Sequence, residues 1–152
     1  MTGGRLKRVK KFVKNEEFFF LTYGDGLSDI NISKTIDFHL QHKKLATITA
    51  VKPPGRYGAL EIENNIVKSF VEKPSGEDSY INGGFFVLSP KVIELINDDK
   101  TVWEQEPLQE LAKKSELMAF YHDGFWQPMD TLREKNILED LWASDKALWK
   151  KW

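Results

Sequence analysis

Apolar positions along the chain switch between two periods, and the switches mark out the elements. The run Phe18-Phe19-Phe20-Leu21-Thr22 and residues 45–51 are apolar or β-branched and too short for helices, so they read as strands buried on both faces. Residues 81–88, carrying Gly83-Gly84, and residues 117–121 add two more strands. Residues 58–63 and 66–72 alternate apolar with polar positions around Asn64-Asn65. That predicts a hairpin with a two-residue turn, because asparagine tolerates positive φ. Leu6, Val9 and Val13 share one face of a helix over residues 4–14, and Ile32, Ile36 and Leu40 recur at four-residue steps in a second helix that fades at Lys43-Lys44. Pro90 opens a short helix through Val92, Leu95 and Ile96, and Pro107 opens another through Leu108, Leu111 and Ala112. Thr131, with Glu134 three residues on, forms a capping box for a closing helix through Leu138, Leu141 and Trp142.

Strands alternating with helices predict an α/β fold: a mainly parallel, mixed sheet with flanking helices and one inserted hairpin. Polar loops fall after the strands, where open sheets of this kind bind ligands. No repeat or linker divides residues 1–152, so one domain is expected. Composition changes little in this picture, with 41% hydrophobic and 30% charged residues. A net charge of −1 supplies no basic field for nucleic acid, so none is expected as a partner. The longest apolar run, Phe18 to Leu21, is far short of a membrane span, and no membrane partner is expected either. Cysteine is absent, which excludes a disulfide framework, a thiolate nucleophile and a cysteine zinc site, and suits a reducing cytoplasm. The cations at positions 5, 7, 8, 10, 11 and 14 read as a solvated helix face.

Four short motifs carry candidate chemistry, each with a plainer alternative. Asp25 stands between Gly24 and Gly26 directly after a strand, which leaves its carboxylate unshielded for a hard cation or makes it an ordinary turn residue. Asp130 precedes the last helix, as a helix cap or as a carboxylate delivered by the stiff approach of residues 124–129. Glu72-Lys73-Pro74 offers an acceptor and a point charge for a sugar phosphate, or simply ends a hairpin. Asn82-Gly83-Gly84 offers an amide and open backbone donors to a sugar ring, or a bulge where backbones come close. Gly3-Gly4-Arg5 is not read as a phosphate loop, since no strand leads into it. His39, His42 and His122 are unclustered, and no Gly-x-Ser-x-Gly elbow supplies a nucleophile.

Taken in order, Thr2-Gly3-Gly4-Arg5, Tyr23-Gly24-Asp25-Gly26, Arg56-Tyr57-Gly58-Ala59-Leu60, Glu72-Lys73-Pro74, Asn82-Gly83-Gly84-Phe85-Phe86 and Asp130 resemble the sugar-1-phosphate nucleotidyltransferases. Residues 53–58, 103–107 and 124–133 resemble the glucose-1-phosphate cytidylyltransferase branch. The resemblance covers essentially the whole chain and implies a Rossmann-like sheet and transfer of CMP from CTP to glucose 1-phosphate. CDP-glucose, a precursor for surface polysaccharides, and pyrophosphate would be the products. It makes Asp25 and Asp130 ligands of Mg²⁺, places Gly24 and Arg5 against the nucleotide, and puts Lys73 on the sugar phosphate. Gly58, Glu72, Asn82 and Gly83 would shape the sugar pocket, and a homo-oligomer is implied at full length. The family pattern begins with a strand, a glycine-rich loop ending in arginine and a lysine-proline segment that grip the triphosphate. These residues lack that segment, so the expectation is a C-terminal portion, incomplete on its N-terminal side and inactive alone. A thymidylyl- or uridylyltransferase, or a sugar-phosphate-binding chain without catalysis, stand as alternatives.

Overall fold

A computed structural model describes residues 1–53, 59–63, 66–71 and 80–151. In chain order the elements are α1 (Thr2–Arg8), α2 (Lys10–Val13), β1 (Phe19–Thr22), β2 (Gly26–Ser28), α3 (Ile32–His42), β3 (Ala46–Val51), β4 (Ala59–Glu63), β5 (Ile66–Val71) and β6 (Ile81–Leu88). A 3-10 helix (Pro90–Leu95), α4 (Glu106–Lys113), β7 (Leu117–His122), β8 (Trp126–Pro128) and α5 (Leu132–Ala143) complete it. This is a mixed sheet with flanking helices, as the alternation of periods predicts. The chain forms two compact units, each assembled from three separate segments, and such interleaving leaves no compositional break to read.

The first unit comprises residues 1–23, 31–49 and 84–120. Its sheet has the order β1-β6-β3-β7, with β1 antiparallel to β6 so that Phe19 faces Leu88 and Thr22 faces Phe85. Trp103, Phe86, Leu88, Val92, Ile93 and Leu111 form the centre of the core, all at most 2% exposed. Each such side chain contributes about 1.5–3 kcal/mol by leaving water. β3 is buried along nearly its whole length, as read from its sequence. β1 differs. Phe19 is buried but Phe20 is 50% exposed, so one face of the strand packs on the core while the other meets solvent.

Two helices also differ from expectation. Residues 4–14 break at Val9 (φ −88°, ψ 1°), and the buried positions of α1 are Gly3, Gly4 and Leu6, while Val9 is exposed. A Cβ on Gly3 would stand 2.8 Å from the Thr101 carbonyl, and one on Gly4 2.5 Å from Asp99, so the glycine pair serves close packing. Several of the α1–α2 cations are engaged. Arg8 pairs with Asp99, Lys10 with Glu94, and Lys7 caps the carbonyls of Ile96 and Asn97. In α3 the buried residues are Thr35 and His39, whereas Ile32 and Leu40 are exposed. Polar partners decide that face: the Thr47 hydroxyl of β3 hydrogen-bonds with both His39 and His42 of the helix.

The second unit comprises residues 24–30, 50–83 and 121–152. It contains the predicted hairpin, β4 antiparallel to β5 with Glu63 facing Ile66 and a register shift at Glu61–Ile62. It also contains a ribbon that sequence patterning does not reveal, β2 antiparallel to β8. α5 starts from the predicted capping box: the Thr131 hydroxyl accepts from the Glu134 amide, and the Glu134 carboxylate accepts from the Thr131 amide at 2.9 Å.

Candidate functional site

The site grows from that ribbon. Gly26 faces Pro128, Leu27 faces Gln127 and Ser28 faces Trp126. One step further the Met129 amide donates to the Asp25 carbonyl at 2.7 Å, so the backbones of Asp25 and Asp130 end side by side. The sequence left open whether Asp130 caps α5. It does not: Thr131 is the cap, and Asp130 contributes only its amide, which donates to Glu134 Oε2 at 3.1 Å. Both aspartates are exposed, and among the described residues neither carboxylate has a hydrogen-bond or ion-pair partner. Gly24 is open, since a Cβ there would meet no atom within 4 Å. Neither its packing nor a positive φ calls for glycine.

Two hard oxygen ligands without a third suit a cation that keeps water and substrate phosphates in its shell, as Mg²⁺ does. No group of three or more His, Cys, Asp or Glu side chains among the described residues could enclose a metal.

The far end of the ribbon is fastened by a polar knot. Ser28 Oγ donates to the Phe125 carbonyl at 2.8 Å, and the Asp29 amide donates to the same oxygen at 3.1 Å. His122 Nε2 lies 3.1 Å from Ser28 Oγ, 3.2 Å from the Phe125 carbonyl and 3.0 Å from Asp29 Oδ1. The approach to Asp29 is off-axis, which leaves that buried carboxylate oxygen without an aligned hydrogen bond. Ser28 and Asp29 face the same ring nitrogen. A nucleophile relay needs the base between them, one partner on each nitrogen, so this trio is structural.

Beside the knot, Tyr80, His122, Asp123, Phe125 and Trp126 line an open cavity of about 640 Å³ together with Lys52. Tyr80 donates to Asp123 Oδ1 at 3.0 Å, a bond that raises its phenol above the usual range, and Lys52 Nζ lies 5.3 Å over its ring. Gly83 is buried at the start of β6, and its carbonyl accepts from Trp126 Nε1 at 2.8 Å.

The second unit therefore holds Gly24, Asp25, Asn82, Gly83 and Asp130. Arg5 lies on the exposed side of α1 in the first unit. Gly58, Glu72 and Lys73 fall outside the described residues. Gly84 takes a structural role. It has φ +78°, and a Cβ there would stand 2.7 Å from the Tyr23 ring. Sequence reading missed the parts played by Ser28 and Trp126, because strands of three residues carry no periodicity to find, and those of Asp29 and His122, because it takes the pairing of distant segments to bring them together.

A family profile described as nucleotidyl transferase matches residues 3–131. The glucose-1-phosphate cytidylyltransferases of Salmonella typhi and Salmonella typhimurium are each 62% identical to the chain over 152 residues, covering all of it and 59% of their own length. Mannose-1-phosphate guanylyltransferase catalytic subunit beta of Drosophila melanogaster is 34% identical over 142 residues, 90% of this chain and 38% of the relative. Among solved structures, HddC from Yersinia pseudotuberculosis superposes with a TM-score of 0.67 at 26% identity, over 93% of this chain and 62% of that one. The chain thus spans about three-fifths of the length of the Salmonella relatives it matches.

Proposed function

The chain belongs to the nucleotidyl transferase family, and from that premise we propose that it serves transfer of CMP from CTP to glucose 1-phosphate, giving CDP-glucose and pyrophosphate. The observation that carries the reading is the ribbon that sets Asp25 beside Asp130, two carboxylates from distant parts of the sequence that have no partner among the described residues. The choice of CTP and glucose 1-phosphate is supported by similarity to the Salmonella enzymes.

The reaction is an in-line displacement. A phosphate oxygen of glucose 1-phosphate bonds to the α-phosphorus of CTP while the bond from that phosphorus to the pyrophosphate oxygen breaks. Positioning and charge neutralisation carry such a step, and no protein nucleophile is required. Asp25 and Asp130 are the residues that would hold Mg²⁺, which when bound neutralises phosphate charge. Gly24 leaves its backbone open to close approach by a nucleotide. Asn82 and Gly83 form one wall for the sugar, Glu72 and Gly58 read its hydroxyls, Lys73 meets its phosphate, and Arg5 contacts the nucleotide. Homo-oligomeric assembly, a cytoplasmic setting and supply of sugar nucleotides for polysaccharides belong to the same reading.

Calorimetric titration of the chain with glucose 1-phosphate, with and without Mg²⁺, tests the site. Pyrophosphate release in a chain extended to the length of the Salmonella relatives, with CTP, dTTP, UTP and GTP in turn, tests the reaction. CTP is expected to be preferred. Lys73→Ala should weaken sugar-phosphate binding, whereas Glu72→Gln should erode discrimination among sugars. Absence of glucose 1-phosphate binding together with no release from any triphosphate would overturn the proposal.

A further inference from the structure

Trp126 is joined to two parts of the site at once. Through its backbone it belongs to β8, facing Ser28, and β8 leads within two residues to Asp130. Through its side chain it reaches Gly83, whose carbonyl accepts from the indole N–H at 2.8 Å. The indole also lies beside the residue that follows Asp25, since a Cβ on Gly26 would come within 4.0 Å of Nε1. Gly83 is buried, so its carbonyl has no easy recourse to water if this donor is lost. Tryptophan suits the position on chemical grounds: the indole N–H donates and cannot accept, and it sits at the edge of a large apolar ring. Phenylalanine would keep most of the ring and lose the donor.

We propose that Trp126 is a positioning residue that fixes the Asn82–Gly83 backbone against the strand leading to Asp130. Sugar contacts at Asn82 and Gly83 and metal contacts at Asp130 are then held in one register by one side chain. The inference rests on the function proposed above for the meaning of those two contacts, but the clamp itself is a property of the folded chain.

The test uses Trp126→Phe in the 152-residue chain and has arms that fail separately. Hydrogen exchange at residues 82–83 should accelerate about tenfold, while exchange at residues 26–28 stays unchanged. Glucose 1-phosphate should bind about tenfold more weakly, while Mn²⁺, as a probe of Asp25 and Asp130, should bind within about twofold of the parent. Unchanged exchange at residues 82–83 overturns the proposal, and so does an equal loss of both affinities, which is what a merely structural role would produce. A parent chain that binds no glucose 1-phosphate overturns the substrate reading instead, and the exchange result then decides the clamp alone. Should the variant fail to fold, NMR of the parent decides: the Trp126 indole proton should exchange far more slowly than that of the half-exposed Trp142. Equal exchange of the two overturns the clamp.

Discussion

The amide of Met129 donates to the carbonyl of Asp25 at 2.7 Å, extending by one step a ribbon whose last regular pair is Gly26 with Pro128. Antiparallel pairing of this kind fixes neighbouring backbones to within fractions of a residue. Asp25 and Asp130 are therefore set side by side by main-chain bonds, without either carboxylate being spent on holding the other. The helix that follows is capped by Thr131, so Asp130 is also relieved of that duty.

This separation predicts opposite phenotypes for adjacent residues. Asp130→Asn and Asp25→Asn should each lower turnover of the extended chain about 10²–10³-fold, or roughly 2.7–4 kcal/mol, the usual cost of one preorganised electrostatic group. Stability should change by less than about 0.5 kcal/mol, because both side chains are exposed. Thr131→Ala should instead cost about 1 kcal/mol of stability through loss of the cap. Urea melts beside pyrophosphate-release rates check both. Wild-type turnover in either aspartate variant would return that residue to an ordinary turn.

Most of the framework was legible in the sequence because long periodic segments announce themselves. β3, β6, α4, the hairpin and the capping box of α5 all stand where patterning puts them. Faces were harder to read than elements. Ile32 and Leu40 outrank Thr35 and His39 in hydrophobicity, yet a hydroxyl on β3 offers the histidine side hydrogen bonds that apolar residues cannot make. The ribbon was not legible because its pairing joins segments far apart in sequence, and each strand is only three residues long. Asp25 and Asp130 could be singled out as carboxylates in unusual settings. That they meet is a fact of pairing, not of pattern.

Gly124 is required by the knot that fastens the ribbon. A Cβ there would stand 2.5 Å from Asp29 Oδ1 and 2.7 Å from His122 Cε1. Gly124→Ala should therefore destabilise the protein by about 1–3 kcal/mol, the range for overpacking. Asp29→Ala in the same chain should recover part of that loss by removing the nearest atom. A thermal-melt double-mutant cycle measures the coupling, and strict additivity would show that the crowding is relieved some other way.

Acid should loosen the first unit before carboxylates begin to titrate. The Lys44 amide donates to His42 Nδ1, which puts the His42 proton on Nε2, facing Thr47 Oγ1 at 2.8 Å. The Thr47 hydroxyl can then donate to His39 Nδ1 at 2.9 Å, so every proton has a place only while both rings are neutral. Burial lowers the pKa of His39, and the neighbouring His42 lowers it further. Burial also lowers that of His42, with Lys44 adding to the effect and its own backbone bond and Glu116 opposing it. Folded pKa values below the unfolded value of about 6.5 mean that the unfolded chain binds protons more readily. Stability is then full above about pH 6.5 and falls as the pH drops below it. Urea midpoints below that pH should decline in the parent and decline less in His39→Gln; a flat parent profile would count against the neutral pair.

The edge of the first unit's sheet gives the last prediction. β1 stands at one end of the strand order, so its outer row of amides and carbonyls faces away from β6. Along it the side chains split: Phe19 is buried against the core, while Phe20 is 50% exposed and packs edge-on against Phe18 at 5.9 Å. An apolar, unblunted edge of this kind templates pairing with another strand, and a lysine is the common natural remedy. Phe20→Lys should therefore reduce concentration-dependent association of the 152-residue chain while changing stability by less than about 0.5 kcal/mol. Phe19→Ala, one residue away, should cost about 3–5 kcal/mol through the cavity it leaves, a large share of a total of about 5–15 kcal/mol. Size-exclusion profiles over a range of concentrations, read beside thermal melts, separate the two effects. If Phe20→Lys associates as the parent does, the contact between chains lies elsewhere than on β1; if it alone becomes monodisperse while Phe19→Ala merely unfolds, the edge is where chains meet.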